Sequence, residues 1–341
     1  MATESGYRRT PTRRDVLRLL AVGGGAGIAW KMGLFGRFEP RMATRSRILM
    51  GTGVHLTVLG DDLEAADAAA DATLRRMADL EALLSRHRHD SELSRLNAAG
   101  RLDGASDALI DVLQTADRVS RLGDGAFDVT VQPVLDLYRG VVGPRGTLPP
   151  SERIEQAAGL VDHRAVRIDG RTVTLGRDGM RITLDGIAKG FVVDRGVDTL
   201  QERGFGDVFV EAGGDLAASG FKSEGTPWRI GIRRPRPGVA LQARFEASNR
   251  AVATSGDYMQ PFTTDYAQHH ILDPRTGYSA PELASSTVSA PNTVTADALA
   301  TLTMVLGPRR GRDLIEALPD CEAYFVSKDL EVTQTSGFAV V

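Results

Sequence analysis

The sequence predicts an α+β fold, mixed sheets with flanking helices. Alternating, β-branched runs cluster at residues 164–184, 207–233 and 243–289, with helical patterns interspersed among them. No internal repeat or low-complexity tract interrupts this mixture.

Taken in order, "RILMGTGVHLTVLG" alternates and holds a glycine turn, so it reads as a strand that turns within itself. Residues 62–84 are Ala/Leu-rich and amphipathic, a long helix. The polar "SRHRHDSELSRLNAAG" follows, then a helix at about 105–122. "GDGAFDVTVQPVLDLYRG" starts in a turn and enters a short strand or helix. "VGPRGTLPPSER" is a Pro/Gly loop in which Ser151 is placed to cap the next helix. "AVRIDGRTVTLGRDGMRITL" carries Gly turns between β runs, and a glycine turn then leads into a helix over 186–204. "DVFVEAGGDLAASG" and "WRIGIRRP" read as strands, the first around a double-glycine turn. Residues 295–307 form an apolar helix that Gly307 and Pro308 stop, with another helix at about 308–317. "EAYFVSKDLEVTQTSGF" closes the chain as a hairpin.

With 341 residues and 42% hydrophobic content, the chain can bury one large core or two medium ones. Its net charge of −3 is unevenly spread: residues 1–47 hold ten Lys/Arg against three Asp/Glu, leaving 31 against 41 in the remainder. An acidic body without a basic face argues against nucleic acid as a partner. The single cysteine, Cys321, excludes an internal disulfide and a Cys-rich metal site, and reads as a small core residue. Residues 1–30 look like a targeting segment: Arg13 and Arg14 precede a short, Gly-rich, weakly apolar run, which suits twin-arginine export better than the Sec route. No small-x-small cleavage signature stands out, so an N-terminal membrane anchor is possible, although residues 16–30 fall short of the roughly 20 that a bilayer span requires. Residues 31–47 then read as a basic linker and 48–341 as the catalytic domain.

Several stretches carry chemistry-bearing side chains. On the helix at 295–307, Asp297 and Thr301 lie four residues apart and share a face. Thr295 or Asp297 capping the helix, with Thr301 bonding back to a carbonyl, is one explanation; two oxygen ligands for a hard cation such as Mg²⁺ is the other. In "TLDGIAKGFVVD", Lys189 sits in the first turn of a helix entered through glycine, where free N–H groups and an ammonium suit phosphate, though an exposed lysine at an ordinary turn fits too. The spacing is not that of a P-loop, and "GGGAG" at 23–27 belongs to the export segment. "ATSGDY" lacks the Gly-x-Ser-x-Gly pattern of serine hydrolases. His269 and His270 are adjacent and would point to opposite faces of a strand, so they do not share a metal. "SRHRHD" is a ligand loop or a solvated polar one.

The order of the motifs is more specific than any one of them. "MGT", "DSELSRLN", "GAFDVTVQP", "LDGIAKGFVVD", "AGGD", "ATSGDY", "HHILDPRTG" and "ADALAT" follow one another over roughly residues 48–340, and in this succession the chain resembles the FAD:protein FMN transferases, the ApbE family. "TLDGIAKGF" looks more like the branch serving nitrous-oxide-reductase accessory proteins. The resemblance implies an enzyme that binds FAD and Mg²⁺, splits the pyrophosphate, releases AMP, and attaches FMN to a Thr or Ser of an exported acceptor protein. It implies Asp297, Thr301 and the backbone carbonyl of Gly186 as magnesium ligands. It implies flavin and phosphate contacts from Met50, Ala126, Phe127, Asp128, Lys189 and Ile271. Two cofactor positions depart from the usual pattern. His87 stands where an aromatic is expected, and Thr183 takes an Asp place while Asp185 takes a Gly place.

From phosphoryl-transfer chemistry, a divalent cation neutralises phosphate charge while Lys189 stabilises the transferring group or the leaving oxygen. His270 is the candidate general base, with Asp257 and Asp185 as alternatives. Two other readings compete: an FAD pyrophosphatase giving FMN and AMP, and a non-catalytic FAD-binding protein.

Overall fold

The structure, a computed structural model, describes residues 41–141 and 148–341. The twin-arginine segment lies outside the described residues, and among those described no helix is long and apolar enough to cross a membrane.

The fold is α+β. An eight-stranded sheet runs in the order β1-β2-β6-β7-β10-β11-β12-β13, accompanied by a three-stranded sheet β3-β5-β4 and a two-stranded sheet β8-β9. Among the described residues every ladder is antiparallel, and Val131 with Arg181 makes a lone parallel bridge. β1 (Met42–Leu49) and β2 (Thr52–Leu59) form a hairpin whose turn residues, Met50 and Gly51, both have positive φ, as a tight turn between twisted strands requires. β1 begins inside the stretch assigned to a basic linker. Its charges belong to an edge strand, where Arg45 meets Asp67 and Asp71 in solvent.

α1 (Leu63–Leu84) is capped by Asp62 and buries Ala66, Ala70, Leu74, Met77 and Leu80 at helical spacing. α2 (Glu92–Ala99) falls within the polar run, where the sequence predicts no helix; Ser91 caps it and Gly100 ends it with positive φ. β3 (Arg101–Leu102) leads to α3 (Asp107–Leu122), and the "GAFD" turn leads to α4 (Gln132–Val141). In α5 (Ser151–Ala158) the capping expectation for Ser151 is corrected: Pro150 occupies the cap, and Ser151 is already helical and makes no cap bond. Proline's fixed φ makes the entry without a hydroxyl.

β4 (Val166–Asp169) and β5 (Thr172–Leu175) are a hairpin, but the third alternating run, 181–184, is not a full strand. The side chain of Asn97 takes both the N–H and the C=O of Ile182, serving as a strand partner would. α6 (Ala188–Gln201) follows, then β6 (Val208–Ala212) and β7 (Asp215–Ser219) around Gly213-Gly214. β8 (Trp228–Arg233), β9 (Leu241–Ala247), β10 (Arg250–Gly256) and β11 (Leu283–Ala290) complete the β-rich half. α7 (Thr293–Glu316) breaks at Gly307, whose φ is +76°, so the stop at Gly307-Pro308 separates two helical halves. β12 (Glu322–Ser327) and β13 (Val332–Gln334) form the closing hairpin. Cys321 is buried and free.

Helices α1, α6 and α7 share the main core with the large sheet. What fixes the site is how closely α6 and α7 approach. A Cβ on Gly190 would fall 2.3 Å from the carbonyl oxygen of Thr293, so no larger residue fits where the two helices begin. Asp194 of α6 accepts from the N–H groups of Thr293 and Val294 at 2.7 and 2.8 Å, satisfying orphan donors of α7 from outside it.

Candidate active site

The first turns of α7 do not use Thr295 or Asp297 as a cap. Asn292 is the cap, accepting from Thr295 N at 3.0 Å. Nor does Thr301 bond back to a carbonyl; Thr303 does that, to Leu299 O at 2.7 Å. Both oxygens of the sequence question are thereby left for something else. Asp297 is 4% exposed, and one carboxylate oxygen accepts from Gly190 N at 3.0 Å at the start of α6. Its other oxygen has no hydrogen-bond donor among the described residues. Thr301 Oγ1 meets Ser255 Oγ at 3.0 Å, and a Cβ on Gly186 would lie 2.9 Å from that same Oγ1. The Gly186 backbone thus packs against the Thr301 side chain, one helical turn after Asp297, which brings together the residues whose oxygens the family resemblance implies as ligands of a hard divalent cation.

Lys189, in the first turn of α6, pairs with Asp215 at the start of β7, a carboxylate only 1% exposed. Burial works against the ammonium, but Asp215 and Asp297 outweigh it and hold its pKa above the ordinary lysine value. Burial and the neighbouring Asp215 push Asp297 up to about 8, against the pull of Lys189 and Gly190 N–H. Glu211 is likewise raised, to about 7, first by burial and then by Asp215, while it accepts from Gly214 N at 2.6 Å. So many carboxylates around one ammonium leave a local demand for positive charge. Such a demand, together with a carboxylate oxygen that no donor among the described residues takes, fits a bound divalent cation, which would favour the charged form of Asp297. Among the described residues no three His, Cys, Asp or Glu side chains form a metal cluster.

Met50 joins this neighbourhood through its turn. Gly213 N donates to Gly53 O, and Thr52 packs against Gly213, which sets "MGT" beside "AGGD". Thr183 is buried, its N–H bonded to Val129 O at 2.8 Å, so the "GAFD" segment runs alongside "TLDG". Ala126, Phe127 and Ile271 are core residues. Asp128 is a brace: it accepts from Thr130 N and Oγ1 and from His163 N, and burial raises its pKa. With its oxygens used inside the protein, its implied role as a substrate contact finds no support in this geometry. Two surface cavities of about 340 and 390 Å³ lie where α3 meets the turn at His163, and of the candidates only Asp128 lines either. His87 is exposed, in the loop after α1.

The two histidines lie outside the named strands and differ in their partners. His269 is fully buried; its Nδ1 accepts from Ile271 N, which leaves Nε2 to donate to Ala280 O at 2.9 Å. His270 keeps a buried Nδ1 with no partner. Burial lowers both to about 4, so both are neutral at physiological pH. Asp257 does not serve as a free base: both its oxygens take the Arg236 guanidinium at 2.7 Å, and it is fully buried. Asp185, the other alternative, is engaged by Arg86 Nε at 2.9 Å. Asp215 and Ser255 carry no expected role from sequence, although "AGGD" and "ATSGDY" contain them. Only the pairing of distant strands and helices reveals Lys189 and Thr301 as their partners.

Residues 50–325 match the model of the ApbE family. A Vibrio cholerae FAD:protein FMN transferase is 34% identical over 251 residues, covering 71% of this chain and 75% of the relative. One from Haemophilus influenzae is 32% identical over 297 residues, covering 82% and 84%. The solved ApbE protein of Thermotoga maritima superposes with a TM-score of 0.78 at 29% identity, covering 87% of this chain and 97% of that one.

Proposed function

This chain belongs to the ApbE family, and we propose that it is a Mg²⁺-dependent enzyme that moves FMN from FAD onto a Thr or Ser hydroxyl of an exported acceptor protein, releasing AMP. The observation that carries the reading is the convergence of Asp297, Thr301 and Gly186 beside the Lys189–Asp215 pair.

Bound by Asp297, Thr301 and the Gly186 carbonyl, Mg²⁺ would neutralise diphosphate charge that otherwise repels an oxygen nucleophile. The protein's own groups account for the remainder. Asp215 holds the Lys189 ammonium in one place, so that it meets the phosphoryl oxygens already oriented. The acceptor hydroxyl forms a bond to the phosphorus on the riboflavin side, the phosphorus–oxygen bond to AMP breaks, and AMP carries away the electron pair. His270 Nδ1, neutral and without a protein partner, receives the hydroxyl proton.

Incubation with FAD, Mg²⁺ and an exported acceptor should give an adduct that stays yellow after denaturation, with the mass gain of FMN rather than FAD. An acceptor whose target Thr is changed to Val should take no label. Rapid FAD consumption with no adduct on any exported protein would establish the pyrophosphatase, and binding without AMP release the carrier.

We also propose twin-arginine export to the periplasm or the outer face of the inner membrane, on the strength of Arg13 and Arg14 ahead of the Gly-rich run. Replacing both by Lys keeps the charge but should leave precursor in the cytoplasm. Unchanged export of that variant would point to the Sec route.

A further inference from the structure

Beside the oxygen cluster lies a second group of charges that the mechanism above does not use. Asp185, next in the chain to Gly186, accepts from Arg86 Nε with both oxygens, at 3.0 and 2.9 Å. Arg139, in the last turn of α4, approaches the same carboxylate at 3.9 Å. Two guanidinium groups thus face one carboxylate. Arg139 Nη2 donates to Gln260 Oε1 at 3.3 Å, and the Gln260 carbonyl accepts from His270 N at 3.1 Å. Arg139 Nη1 is buried and has no partner among the described residues, and the same holds for His270 Nδ1 at the other end of this short chain of contacts.

A helix C-terminus favours a cation, which would explain an arginine at this place but not a buried N–H left unbonded. Burial and Arg86 lower the pKa of Arg139, against the pull of Asp185 and Asp136. Arg139 approaches Asp185, the chain neighbour of Gly186, on one side and Gln260, whose carbonyl holds His270 N–H, on the other, which sets it between the oxygen cluster and the histidine. A ligand spanning that interval would meet a planar, forked donor with a free arm, the geometry that suits phosphate oxygens.

We propose that Arg139, steadied by the Arg86–Asp185 pair, is an anion-binding residue that donates through Nη1 to the diphosphate of the dinucleotide substrate. This rests on the transferase reading and adds to it a phosphate contact from α4, outside the Lys189 cluster.

The test compares ligands with and without phosphate on the full chain in Mg²⁺, by titration calorimetry. Arg139→Ala should weaken FAD by about 10-fold or more, the order expected for a lost charge-assisted hydrogen bond. Riboflavin should bind within about two-fold of wild type, and Arg139→Lys, which keeps the charge without the fork, should fall between for FAD. Arg139→Gln, which can still reach Gln260, serves if the alanine variant does not fold, and should show the same selective loss. Equal weakening of FAD and riboflavin would overturn the proposal by making Arg139 a brace for the loop at Gln260. Unchanged FAD affinity with a raised KM for the acceptor would overturn it in favour of an acidic acceptor segment. A wild-type chain that took up no FAD would remove the transferase reading and this proposal together, whereas wild-type binding with unaltered variants removes the proposal alone.

Discussion

Asp297→Asn is expected to reduce Mg²⁺-dependent cleavage of FAD by about 10³-fold or more while FAD itself stays bound. Asn keeps an oxygen for Gly190 N–H, so the junction of α6 and α7 survives and the loss is one of charge. Asp297→Ala should be as inactive but less stable, because it leaves that buried N–H without a partner at a cost of about 1–3 kcal/mol. The protonation of Asp297 supplies a readout independent of turnover. In metal-free protein its folded pKa of about 8 lies above the ordinary value of 3.8, so the folded state binds the proton more tightly. Stability should therefore fall as pH rises through that interval, and part of this slope should vanish in Asp297→Asn. AMP release measured against Mg²⁺ concentration, beside thermal melting across pH, checks both. Wild-type turnover in Asp297→Asn would remove Asp297 from the metal set.

Lys189→Met should slow FMN transfer by about 10²-fold or more, the loss typical of one electrostatic stabiliser. It should also lower stability by about 3–5 kcal/mol, because Asp215 is 1% exposed and would be left as a buried charge beside Asp297. The double variant Lys189→Met with Asp215→Asn separates these effects. Removing both charges should restore much of the melting temperature and none of the transfer rate. If the double variant regained transfer, Lys189 would be a structural cation, and phosphoryl stabilisation would have to come from elsewhere.

The Arg139 contact is of a different kind from these two. Lys189 is held by Asp215 and one oxygen of Asp297 by Gly190 N–H, whereas Arg139 and His270 each keep one buried nitrogen unbonded. Contacts made within the protein fix a geometry before substrate arrives. Unbonded buried nitrogens mark where substrate atoms complete it.

What the sequence determined by itself was local or ordered along the chain. Asp297 and Thr301 share a face because four residues make about one helical turn, whatever packs outside them. The break at Gly307 follows from a glycine able to take positive φ before a proline unable to continue the hydrogen bonds. The succession of motifs gave the family without reference to any contact. What only tertiary structure decided was partnership. Lys189 finds Asp215 26 residues away through the packing of α6 on the β6–β7 hairpin. Thr301 finds Ser255 only when α7 lies on β10. The same kind of contact overruled local inference: Arg236 claims Asp257 across 21 residues and takes it from the list of bases, and Asn292 supplies the cap expected from Thr295 or Asp297. Backbone geometry is set by neighbours in the chain, so sequence spacing reads it directly. The charge state of a buried carboxylate is set by neighbours in space, and those exist only once the sheet register and the helix contacts are fixed.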